Sequence, residues 1–175
     1  MQNNQPKTSL PENAYRELRE GEEYQPIMGA NETPVEVTPY SVIVGLIMAV
    51  IFSAAAAYLG LKVGQVFEAA IPIAIIAVGL GQMRGKKNML GQNVIIQSIG
   101  ASSGVIVAGA IFTLPALYIL GLDAKFYQVF LSSLLGGILG IALLIPFRKY
   151  FVKQMHGKYF FFNDTATTEI LVSGE

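Results

Sequence analysis

Eight side chains in this sequence carry chemistry that an apolar chain has little reason to keep. Tyr58, Lys62, Gln65 and Glu68 lie close together, framed by Gly60 and Gly64. Gln97, Ser98, Ser102 and Ser103 fall in the stretch NVIIQSIGASSG. Polar and charged groups at membrane depth are costly, so a cluster beside long apolar runs asks what it serves. Two arrangements of the first group are open. Lys62 and Glu68 can pair at the surface and close a hairpin, or the glycine segment can dip inward and present them to a ligand. The surface hairpin is the expectation. For the second group, hydroxyls and a carboxamide can bond across to neighbouring helices, for about 1 kcal/mol each. They can equally line a hydrated route, and inter-helix bonding is the expectation.

Other chemistries are poorly supplied. There is no cysteine and one histidine, His156, which excludes thiolate chemistry and a multi-histidine metal site. No Ser-His-Asp arrangement, no phosphate-cradling glycine loop and no paired acids within an apolar run occur. The chain is therefore expected to be no enzyme, to hold no metal or cofactor, and to bind no nucleic acid.

The elements that must position these residues are apolar. Of 175 residues, 53% are hydrophobic and 14% charged, with a mean hydropathy of +0.50. Soluble domains carry about 25% charged residues. An all-α, polytopic membrane protein follows, its partner the lipid bilayer. Residues 1–40 form a polar tail in which Asn13 is placed to cap a short helix over 14–20, ended by Gly21. Four transmembrane helices are predicted, at about 41–61, 66–83, 93–120 and 127–147. The second contains Glu68 and Pro72 near its start, so its uninterrupted apolar part is short. Residues 148–175 form a basic loop and the start of a further segment.

Alternation of the spans assigns the loops to sides. Arg84, Lys86, Lys87, Arg148, Lys149, Lys153 and Lys158 fall on one side, and only Lys62 and Lys125 on the other. Excess Lys and Arg mark the cytoplasmic side. The N-terminus is expected to be cytoplasmic, in an inner (plasma) membrane crossed several times. Small residues favour close helix approach. They run through 53–57, through Gly100, Gly104 and Ala108, and through Ser132, Gly136 and Gly140.

Three long stretches carry a family resemblance: EVTPYSVIVGLIMAVIFSAAAAYLGLKVGQVFEAAIPIAIIAVGL, NVIIQSIGASSGVIVAGAIFTLPALYIL and LIPFRKYFVKQMHGK. Together they resemble the bacterial branch of the oligopeptide transporter (OPT) superfamily, to which the yellow stripe-like metal-chelate transporters also belong. The resemblance covers about 13–158 and resumes over 166–175. It implies a secondary transporter moving oligopeptides or peptide-like metal chelates by alternating access, with a proton as coupling ion. It also implies more spans than four, so the chain reads as an N-terminal fragment whose helices pack against the remaining transmembrane helices of a longer protein. In this reading Tyr58, Lys62, Gln65, Glu68, Gln97, Ser98, Ser102 and Ser103 are the substrate-binding or pathway residues. The string YFFFNDTATTEI departs from the family, which has a Leu-Pro-Phe-Pro type segment there. It resembles translated sequencing-adapter reads, so residues 159–164 are expected to be an artefact of assembly. Two other readings stand beside this one: a complete four-span transporter acting as an oligomer, and a non-transporting membrane scaffold.

Overall fold

The computed structural model describes residues 9–24, 26–29, 33–85, 89–158 and 161–174. Lys86 and Lys87 of the basic loop lie outside them. Among the described residues all regular structure is helical: α1 (Pro39–Val63), α2 (Ala70–Met83), α3 (Leu90–Ile119), α4 (Phe126–Lys149) and α5 (Phe162–Ser173). A 3₁₀ turn (Glu12–Ala14) precedes them, and a π-helical turn (Tyr150–Gln154) extends α4.

Helix α1 starts where its capping chemistry says it should. The Ser41 N–H donates to Thr38 Oγ1 at 3.1 Å, and the Thr38 N–H donates to Ser41 Oγ at 2.9 Å. This reciprocal box satisfies two otherwise orphaned donors, and Pro39 needs none at the first helical position. Gly64 ends the helix in the left-handed region at φ 75°, its N–H donating to Gly60 O at 2.9 Å. At 1.5 Å per residue, α1, α3 and α4 run about 38, 45 and 36 Å, against a hydrocarbon core of about 30 Å. These three are long and apolar enough to cross a membrane.

The second helix is shorter than expected. It begins at Ala70 rather than at 66 and has 14 residues, about 21 Å. Pro72 favours the later start, although α3 and α4 accommodate Pro115 and Pro146 inside their helices. A helix begun at 66 would need a Pro72 N–H to reach the Glu68 carbonyl, and the proline ring would meet that carbonyl instead. Beginning at Ala70 puts Pro72 in the first turn, where no intrahelical donor is required. Of the four expected spans, then, three are full-length helices and the second is half helix.

Helices α1 and α3 run parallel and in contact over most of their length. Gly45 faces Ile99, where a Cβ would fall 2.9 Å from the Ile99 Cβ, and Gly60 faces Ile111 more tightly still. Helix α2 returns antiparallel: Ile73 packs on Gly100, and Gly81 on the Asn93 side chain. The core of this body is Ala69, Ile73, Ala77 and Ile96, covered by Tyr40, Val44, Met48, Phe52 and Phe67. Arg84, just past α2, stacks 3.8 Å over the Tyr40 ring at the start of α1. The chain therefore returns to the end of the body where it began.

A second cluster joins α5 to this body and to the tail. Leu171 and Val172 meet Ala74 and Leu90, with Leu10, Ile27 and Met28 packed on them. The tail does not form the helix expected over 14–20. Glu22 instead gathers the donors of this stretch. It accepts from Arg16 at 2.8 and 2.9 Å, from the Arg19 N–H at 3.0 Å, and from Asn13 Nδ2 at 3.4 Å. Asn13 is thus a loop donor rather than a helix cap. The Arg16 hydrogen bonds, then that of the Arg19 N–H, hold the Glu22 carboxyl down at about 2. This strap docks on the turn after α4: His156 Nε2 donates to Asn13 O at 3.1 Å, and the Tyr24 and His156 rings lie 5.1 Å apart.

Candidate functional site

The site begins at the end of α1, where the backbone turns at Gly64 and runs extended to Ala69. Its course is set by two contacts. The Phe67 ring packs on Phe52, centroids 6.3 Å apart, and Ala69 sits under Gly104, where a Cβ would lie 3.8 Å away. Phe52 is three turns back from the end of α1, about 16 Å along its axis. Six extended residues reach at most about 20 Å. Residues 64–69 therefore run back along α1 to the middle of the body, and α2 starts there. The return from one end of α1 to the other is an extended half followed by a helical half.

This is not a surface hairpin. Lys62 does not pair with Glu68; its Nζ meets Tyr58 Oη at 3.2 Å and lies 5.3 Å from the Tyr58 ring centroid. The two are four residues apart on one face of α1. Tyr58, Lys62 and Gln65 are exposed at the far end. Glu68 is also exposed, but at mid-depth, one residue before the buried Ala69 and two before the start of α2. Gln65, Val66, Phe67 and Glu68 make no backbone hydrogen bond to a described residue.

On α3 the hydroxyls turn inward on their own helix rather than bonding across. Ser102 Oγ donates to Ile99 O at 2.8 Å, and Ser103 Oγ to Gly100 O at 2.6 Å. Such back-bonding satisfies the donor locally and leaves the oxygen able to accept. Ser103 is buried beside Gly104 and Ser102 is exposed, both at the level of Ala69. Ser98 is exposed one turn nearer the start of α3. Gln97 is half-buried and faces elsewhere, into a cleft of about 490 Å³ shared with Tyr24, Ile27, Met28, Thr168 and Leu171. The eight residues thus divide into a far-end group, a mid-depth group of Glu68, Ser102 and Ser103 flanked by Ser98, and Gln97 apart. A second cleft of about 570 Å³, between the C-terminal halves of α1 and α3, is lined by residues such as Leu61, Ile111 and Tyr118. Neither cleft includes Glu68.

Chemically, the mid-depth group offers one carboxylate, two hydroxyl acceptors, unbonded peptide groups and the uncapped start of α2. Such a set can take an ammonium at Glu68 and an anion or carbonyl at the helix start. Gly100 and Gly104 keep the adjoining wall of α3 flat. Asn93 was not among the candidate site residues, yet it is 1% exposed and its Oδ1 has no hydrogen-bond partner among the described residues. Its seat against Gly81 depends on the pairing of α2 with α3, for which one sequence offers no direct signal. No group of His, Asp and Glu able to hold a metal ion is found among the described residues.

Known proteins resemble this chain in sequence. The model of the family described as "OPT oligopeptide transporter protein" matches residues 36–175. A Haemophilus influenzae protein named "Putative oligopeptide transporter" is 34% identical over 119 residues, covering 67% of this chain and 18% of that relative. The chain thus spans less than a fifth of that relative's length. No solved structure matches. From the family match over most of its length, the chain belongs to the OPT oligopeptide transporter family.

Proposed function

We propose that this chain forms part of the pathway of a secondary transporter that moves oligopeptides or peptide-like metal chelates across a cell inner membrane. The reading includes proton coupling, alternating access, and a cytoplasmic N-terminus set by the basic segments. The observation that carries it is the placement of Glu68 at mid-depth, on an extended segment that feeds the start of a half-length helix. Discontinuous helices near the midplane are a recurrent way to build a substrate site, because unwound backbone and a helix end supply polar groups without buried charge elsewhere. In this reading Glu68 receives a substrate ammonium or the coupling proton. Ser98, Ser102 and Ser103 line the adjoining route, Tyr58, Lys62 and Gln65 stand at its outer mouth, and Gln97 lines the inner cleft.

The test is uptake into proteoliposomes by a full-length transporter carrying this segment, driven by an imposed pH gradient. Glu68→Gln is expected to lower peptide uptake about tenfold or more, the equivalent of one charge-assisted hydrogen bond. Unchanged rate and affinity would remove Glu68 from the pathway.

A further inference from the structure

Among the described residues some cations are held by partners and others are not. Arg16 is bound by Glu22, Arg84 by the Tyr40 ring, and Lys62 by Tyr58. Arg148, Lys149, Lys153 and Lys158 are all exposed and form no ion pair with a described residue. Neither Asp nor Glu occurs in the sequence between Asp123 and Asp164, and the acids of the strap, whose Glu17 backbone meets Gly157, form no ion pair with these cations among the described residues. Lys149 and Lys153 are four residues apart and so share a face, with Arg148 beside them. Around them Phe147, Tyr150, Phe151 and Val152 are exposed too.

Two further features define what meets this surface. The most apolar stretch of α4 and its π-helical extension is wholly unburied, so the bare apolar face is continuous with the cations. The foot is also fixed in place. The Met155 N–H closes the π turn onto Tyr150 O at 3.1 Å, and His156 is tied to the strap at Asn13 O, also 3.1 Å. A row of exposed cations at the end of an apolar helix, interleaved with aromatic rings, matches the cross-section of a lipid leaflet. Phosphate lies at the level of the cations, ester and upper acyl carbons at the level of the rings. A soluble anion would use the charges and ignore the rings.

We propose that the foot of α4, formed by Arg148, Lys149 and Lys153 with Tyr150 and Phe151, is a docking surface for the headgroups of anionic phospholipids. It requires that α4 crosses a membrane and that this end of it faces lipid, and it does not depend on the transport reading.

The test reconstitutes the chain in phosphatidylcholine bilayers containing spin-labelled phosphatidylglycerol or spin-labelled phosphatidylcholine. The motionally restricted fraction of each lipid is then read by electron spin resonance. Phosphatidylglycerol is expected to be preferred by about tenfold, each surface cation being worth a factor of about five at most. Replacing all three cations (Arg148→Gln, Lys149→Gln, Lys153→Gln) is expected to bring the two lipids within about twofold of parity. Arg148→Lys with Lys149→Arg and Lys153→Arg should keep the preference, as should Lys125→Gln at the opposite end. The three single glutamine variants, each expected to lose part of the preference, serve if the triple variant does not fold. A preference that survives the triple replacement, or that Lys125→Gln removes as fully, overturns the proposal. So does displacement of the lipid by millimolar inorganic phosphate, which would make this a soluble-anion site.

Discussion

The first three helices and the fourth are all apolar, yet their glycines have different surroundings. In the α1–α3 body, several glycines mark places where a branched side chain presses close, Gly45 on Ile99, Gly60 on Ile111 and Gly100 on Ile73, while Gly79 and Gly109 face open space. In α4, Gly136, Gly137 and Gly140 face open space. The same residue type is a packing device at some positions of the body and has no close neighbour among the described residues at Gly136, Gly137 and Gly140. Glycine spacing alone therefore says that a helix is able to pack closely, and only its neighbours say whether it does.

Substitution separates the two regions most sharply. Gly100→Leu places a Cβ 2.9 Å from Ile73 Cδ1 and 3.0 Å from its Cγ2. It is expected to destabilise the body by about 3 kcal/mol, the upper range for overpacking. Gly136→Leu on α4 is expected to change stability by less than about 0.5 kcal/mol. Circular dichroism melting of both variants in detergent checks this. Equal losses would mean that α4 is packed as the body is.

The next effect concerns the contact between the turn after α4 and the strap. Gly157 has φ 72°, and a Cβ there would run into the Arg16 carbonyl. Gly157→Ala is expected to release the strap at a cost of about 2 kcal/mol. Trypsin cleavage at Arg16 and Arg19 should then accelerate while the melting of the body is unchanged. Protection that persists in the variant would show that the strap is held from elsewhere.

A smaller effect is expected inside the body. Asn93→Leu removes an acceptor that has no partner, and should leave stability unchanged or raise it by about 1 kcal/mol. A loss beyond about 2 kcal/mol in the same melting assay would mean that the carboxamide is bonded in solution.

The smallest is a pH effect on the strap. Glu22 is held at about 2 in the fold, below its ordinary value of 4.5. Its contribution is therefore fully present above 4.5 and is lost as pH falls toward 2. Protection factors for residues 13–24, from hydrogen exchange corrected for intrinsic rates, should hold from pH 7 to 5 and decline below. Glu22→Gln should abolish that decline, and a step that survives it would assign the titration to another group.

How much of this was legible beforehand differs by region. The three long helices were readable because an uninterrupted apolar run and the bilayer thickness leave few alternatives, and Thr38 and Gly64 mark the ends of α1. The start of α2 was readable in principle. Pro72 lies four residues after Glu68, a spacing that disfavours a helix through both, yet hydropathy averages over it. The division of the eight candidate residues was not readable, because it depends on Phe67 finding Phe52 and on which face of α3 turns toward α2. The strap was hidden for a related reason. Its order comes from one carboxylate, Glu22, collecting donors from Asn13, Arg16 and Arg19, and such convergence has no periodicity to detect. Membership of the family reached further than local pattern, since it drew on long stretches at once.

The extended half of the return has an electrical consequence. Its peptide groups at 65–68 have no backbone partners, and in hydrocarbon each such group costs several kcal/mol. Water or polar side chains must accompany it inward. Wherever water does so, the insulating layer between the two faces is reduced to the length of α2, about 21 Å. A membrane voltage then falls across that shorter distance, with Glu68 at its edge. A charge bound there and carried the length of α2 would cross nearly the whole field, worth about 2.3 kcal/mol per 100 mV.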